Sequence, residues 1–253
     1  MNDLPHTIDE VLERLDRIIA ETVSENNYLG IFAYVYRRTT AEIKKAINGK
    51  QFDDNERMEL MDVAFANKYI SAYENFKHSD GPVSLSWTVP FRAAAEKLTI
   101  MQHLLMGMNA HINLDLGIAA AETAPGSAIH GLKNDFMMVN EILAGLTDEM
   151  QVRVGRISWW MFLVDWLGGK NDEAVINFSM IKAREAAWDL ACQLAVLTDE
   201  ERKNSNIEKT DTVISALAEI IKRPPGLLLN AALKFISKFE EKEVKRILSG
   251  LEQ

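Results

Sequence analysis

Between Leu98 and Ala121 the chain carries one formal charge, Asp115, yet the same stretch holds Gln102, His103, Asn109, His111 and Asn113. A helix this poor in charge is suited to an interior, and an unsatisfied buried amide or hydroxyl costs about 1–3 kcal/mol, so each of these side chains needs a partner inside the protein. The stretch is long enough to span a bilayer, but an Asp at mid-membrane depth costs about 2.5–3.5 kcal/mol on insertion, and two histidines and three amides add to that. The pattern therefore predicts a buried central helix near 90–121 in a soluble protein. At about 100° per residue, His111 and Asp115 are neighbours on one face. Gly107 lies one turn earlier on that face and His103 on its margin, while Asn109 and Asn113 project from the opposite side.

The rest of the chain reads as helical. Thr7 with Glu10, Thr39 with Glu42, and Thr198 with Glu201 have the spacing in which a hydroxyl and a carboxylate satisfy the free amides of a first turn. Turn residues at Asn48-Gly49, Asp80-Gly81-Pro82, Pro125-Gly126, Gly168-Gly169 and Pro224-Pro225 separate the apolar-periodic segments. Helices are predicted at roughly 8–24, 39–48, 55–77, 90–121, 128–145, 148–167, 172–197, 199–222, 226–237 and 240–250. The aromatic stretch YLGIFAYVYR at 28–37 suits a buried helix or an extended connector better than a strand, which would have no partner. The expected architecture is all-α, a single multi-helix domain over 1–253.

The net charge of −9 sets nucleic acid and anionic membrane surfaces aside as partners unless a local basic patch overrides it. Arg37-Arg38, Lys44-Lys45 and Lys222-Arg223 are short for that purpose. Cys192, the sole cysteine, rules out an intramolecular disulfide and a thiolate-rich metal site. The opening MNDLPHTIDEVLERL has no apolar core of signal-peptide length, so a cytoplasmic location is expected.

Two chemistries suit the central face. His103, His111 and Asp115, joined by His130 and Asp135, offer nitrogen and oxygen ligands of the kind that hold a divalent metal. Alternatively His111 is a base and Asp115 its orienting carboxylate. A third reading is structural: His111 bonds Asp115 or a neighbouring helix, and Asp115 pairs with an arginine to fix the packing register. Asp62, Phe65 and Tyr69 form a further stripe that puts a carboxylate and a phenol on one helix face. Trp159, Trp160 and Trp166 suit either core or an apolar ligand cavity.

The segments YRRTT (36–40), FANKYISAY (65–73), GMNAHINLDLG (107–117), DFMMVN (135–140) and AREAAW (183–188), taken in order, resemble an uncharacterised bacterial family, number five-nine-nine-five among the domains of unknown function. The likeness runs over roughly 28–195 and leaves a C-terminal helical extension at 196–253. It implies a residue set but no reaction: Arg38, Thr39, Tyr69, His111, Asp115, Asp135, Asn140, Arg184 and Trp188 match its pattern. In its most specific form the expectation is a metal-assisted hydrolase. His111 and Asp115 hold the ion, Arg184 grips an anionic substrate group, and Arg38, Thr39, Tyr69, Asn140 and Trp188 line the substrate site. The alternatives are a non-catalytic binder of an apolar or amphipathic small molecule, and a helical interaction protein.

Overall fold

Thr99 and Gln102 start the central helix ten residues later than the pattern of apolar residues suggests. In the computed structural model, which describes residues 3–139, 142 and 180–252, the stretch expected as one rod divides into helix Leu85–Ala93, helix Ile100–Ala110, a π turn His111–Asp115 and helix Leu116–Thr123. The Thr99 hydroxyl accepts from Gln102 N–H while the Gln102 side chain accepts from Thr99 N–H, a complete capping box. Gln102 Nε2 also donates to the carbonyls of Ile221 and Lys222, both at 3.0 Å, closing the end of helix Glu200–Lys222. One buried amide thus begins one helix and ends another.

Helices Ile8–Ser24, Leu29–Asn48 and Asn55–His78 precede this region; a helical run at 129–139 and helices Met180–Ala195, Glu200–Lys222, Leu227–Phe239 and Val244–Glu252 follow it. The protein is all-α, and no strand occurs among the described residues. Residues 100–123 are surrounded: they pack on 29–48, 55–78, 85–93, 180–195 and 200–222. The stretch at 28–37 is helical and continuous with 39–48, so Thr39 is not a helix start. Its hydroxyl donates instead to Val35 O at 3.1 Å. At the predicted Thr198 start the cap falls one residue later, because the Asp199 carboxylate accepts from Glu201 and Arg202 N–H. Thr7 caps as expected, accepting from Glu10 N–H at 3.2 Å. The predicted helix at 148–167 and the three tryptophans on it lie outside the described residues.

Buried acids organise the helix starts. Asp211 accepts from Leu85 and Ser86 N–H at 2.7 and 2.8 Å. Glu240 accepts from Ile100 N–H at 2.9 Å, and Asp135 from Asp53 and Asp54 N–H at 2.6 and 3.1 Å. Each carboxylate sits where free amides and the positive end of the helix dipole favour it. With these accounted for, two buried acids remain among the described residues, Asp115 in the central segment and Asp62.

Candidate functional site

The π turn carries the site. Leu116 N–H reaches back five residues to His111 O, widening the helix at HINLD. On one side Asn113 Nδ2 donates to Asn109 Oδ1 at 3.1 Å and Asn109 Nδ2 to Ile214 O at 3.0 Å, so the amides are satisfied against helix Glu200–Lys222. On the other side His111 Nδ1 lies 2.9 Å from Asp115 Oδ2, and the same oxygen accepts from Trp87 Nε1 at 2.8 Å. The division into an amide face and a His/Asp face follows the helical periodicity. The partner of Asp115 is a tryptophan rather than an arginine.

His111 is 1 % and Asp115 4 % exposed. Burial pushes the imidazole below its ordinary range against the opposing pull of Asp115, so the ring is neutral at neutral pH. A carboxylate oxygen that already takes the tryptophan N–H acts as an acceptor, which assigns the His111 proton to Nδ1 and leaves Nε2 with a bare lone pair. That Nε2 has no hydrogen-bond partner among the described residues.

Aromatic rings surround the imidazole. Phe65 stacks on it with centroids 3.6 Å apart, Tyr36 meets it edge-on at 4.4 Å, and Phe32, Trp87 and Tyr69 follow at 5.7, 6.0 and 6.1 Å. Gly107 makes room for this cage, since a Cβ there would stand 2.7 Å from the Phe32 ring. The Tyr69 hydroxyl is also buried without a hydrogen-bond partner among the described residues, and the buried Tyr36 hydroxyl has Thr40 beside it. Burial raises both phenols, with the negative charge of Asp62 adding to the effect at Tyr36. Asp62 itself is pushed up to about 7 by burial and by Glu59. Across Phe32, Tyr69 and Trp87 lies a cavity of about 10 Å³ whose far wall includes His103 and Tyr28, room for one water-sized group.

The sequence model of the family of unknown function DUF5995 matches residues 8–224. The chain belongs to that family. No curated protein and no solved structure matches it. The DUF5995 match extends on both sides of the 28–195 stretch that carries the resemblance.

Within this DUF5995 region the residues expected at a metal centre do not come together. Among the described residues no group of three or more His, Cys, Asp or Glu side chains is placed to hold a metal. The reason is visible at each position. His130 is exposed on the surface. Asp135 is committed to Asp53, Asp54 and the Arg57 guanidinium, the last at 3.1 Å. His103 lies against Tyr28, ring centroids 4.8 Å apart, and burial lowers it to about 4.

The residues expected to bind substrate divide in the same way. Tyr69 is in the cage. Arg38 donates to Leu251 O at 3.3 Å, and Thr39 bonds its own helix. Arg184 donates to Phe136 O at 2.6 Å and lies over the Phe136 ring at 4.6 Å, with Trp188 against the same ring at 5.0 Å. Burial lowers the Arg184 guanidinium to about 10. Asn140 lies outside the described residues.

Sequence reasoning missed Trp87, Phe32 and the role of Tyr36. A signal was available: Phe32/Tyr36, Phe65/Tyr69 and Trp87/Phe91 each repeat an aromatic at four-residue spacing, one pair on each of three successive helices.

Proposed function

We propose that the DUF5995 core is a metal-free proton-transfer site in which His111 Nε2 is the general base and Asp115 holds the imidazole in the Nδ1–H tautomer. The observation that carries the reading is the buried, neutral imidazole whose second nitrogen has no partner among the described residues. A buried polar atom left without a hydrogen bond costs about 1–3 kcal/mol, and at His111 it is the nitrogen opposite the one that Asp115 holds, which is where a base needs its free lone pair. The aromatic cage selects a small, largely apolar molecule with one weakly acidic O–H or N–H. It enters from the cavity side, where Phe32 and Tyr69 swing to admit it while Trp87 stays on Asp115. Asp115 is a positioning residue and Tyr69 a lining residue. Arg184, engaged at Phe136, supports the scaffold.

Long-range proton–nitrogen NMR of the His111 ring tests this, with phenol, 4-nitrophenol and succinimide as probes. The expected result is a bare Nε2 at neutral pH whose resonance moves on addition of at least one probe, with the response lost in Asp115→Asn. An Nε2 that carries the proton, or that ignores all three probes, overturns the reading.

A further inference from the structure

His103 carries a second buried lone pair, away from the His111 face. It sits in the first turn of helix Ile100–Ala110, 6 % exposed, and its Nε2 has no hydrogen-bond partner among the described residues. The bond it makes to the Glu96 carbonyl is therefore a donation from Nδ1–H, which fixes the tautomer and leaves Nε2 as an acceptor. Burial keeps the ring neutral at neutral pH. His103 lines the cavity of about 10 Å³, and so does Tyr69, whose hydroxyl is also buried without a partner among the described residues. Trp87, on the same wall, donates its N–H to Asp115 and has no other to offer.

A lone pair and a phenol on one wall set a definite requirement. An occupant that satisfies both must donate to His103 Nε2 and accept from the Tyr69 O–H. A hydroxyl does both with one oxygen, and the cavity has room for one such group. A carboxylate has no proton for His103, and among the described residues no lysine or arginine lines the cavity to balance its charge. The rest of the wall is largely apolar, with Phe32, Leu29, Pro90 and Phe91 on it, so a hydroxyl attached to a hydrocarbon body gains burial that a water molecule does not. Tyr28 and Leu29 are half-buried whereas the other lining residues are buried, which puts the solvent side of the cavity at those two.

We propose that His103 Nε2 and the Tyr69 hydroxyl form a subsite for one neutral hydroxyl group, that of an alcohol or phenol whose apolar body lies toward Tyr28 and Leu29. The subsite shares Phe32, Tyr69 and Trp87 with the cage around His111, but His111 does not line it, and it needs no base chemistry. Titration of the full chain with phenol, with toluene, which has the same shape without the O–H, and with benzoate tests it, followed at the His103 ring nitrogens by NMR. Phenol is expected to move the bare Nε2 resonance toward its protonated position, and toluene and benzoate to leave it at the bare-nitrogen position. By calorimetry, Tyr69→Phe and His103→Phe are each expected to weaken phenol by about three- to tenfold, the loss of one neutral hydrogen bond, at unchanged helical content by circular dichroism. An Nε2 that carries the proton, an equal response to toluene or benzoate, no response to phenol, or a phenol affinity that neither variant lowers overturns the assignment. A response at His103 with none at His111 supports the subsite and counts only against the proton-transfer reading.

Discussion

Asp115 Oδ2 stands 2.9 Å from His111 Nδ1, one turn away on the same widened stretch of helix. This contact fixes the imidazole in its cage, and Trp87 fixes the contact from a second helix through the same oxygen. The dyad is therefore no stronger than the tryptophan that completes it.

Trp87→Phe tests that dependence. It keeps most of the ring area and removes one N–H from a buried carboxylate, a hydrogen bond worth about 1.5–3 kcal/mol when the acceptor is charged. The unfolding free energy from urea denaturation is expected to fall by that amount, seen as a lower midpoint at an unchanged denaturant slope. A variant as stable as wild type would mean that Asp115 needs no donor besides His111.

Gly107→Ala addresses the packing around the imidazole. The added methyl would meet Phe32 at 2.7 Å in an interior where Phe32 also abuts His111, Tyr69 and Trp87. Overpacking of this kind costs about 1–3 kcal/mol. Phe32→Leu in the same chain is expected to restore part of the loss, which a double-mutant cycle in urea measures. Strictly additive effects would show that the two positions do not compete for one space.

The helical periodicity of 98–121 was enough to place His111 with Asp115 and to set Asn109 and Asn113 on the other side, because side-chain direction is local to a helix. What each side meets is a tertiary matter. Neither Trp87 as the partner of Asp115 nor the commitment of Asp135 to the start of helix Asn55–His78 leaves a mark on spacing. His130 and Asp135 are five residues apart on one helical run, about 140° round it, and one faces water while the other meets a loop amide. The break before Ile100 was legible in principle, since Thr99 and Gln102 have capping-box spacing, but the continuous apolar pattern around them obscured it.

Asp135→Ala separates scaffold from site. It leaves the Asp53 and Asp54 amides without their acceptor and the Arg57 guanidinium with only Gly131 O and Asp54, and each unsatisfied amide costs about 1–3 kcal/mol. A large loss in chemical denaturation is expected, at least about 2 kcal/mol, while the His111 ring nitrogen shifts of the folded protein stay where they are. A change in those shifts comparable to that in Asp115→Asn would join Asp135 to the site and refute the separation.

Asp62 gives the fold a dependence on pH opposite in sign to that of the buried histidines. Burial lowers His103 from 6.5 to about 4 and moves His111 in the same direction, so below about 6.5 the unfolded chain binds protons that the native chain refuses. That contribution is full above 6.5 and is lost as the pH falls toward 4. Burial and Glu59 raise Asp62 from 3.8 to about 7, so between those values the native carboxyl keeps a proton that the unfolded chain has released. Its contribution is full at low pH and is lost as the pH rises through 7. Asp62→Asn removes only the second effect. Measured by urea unfolding from pH 4 to pH 8, the variant is expected to gain on wild type as the pH rises, by on the order of 2–4 kcal/mol across the range. The histidine-driven loss at the acid end should remain in both proteins. Parallel stability curves for the two would mean that Asp62 ionises as readily inside the protein as in water, and that the acid beside Tyr36 has found a partner in the native state.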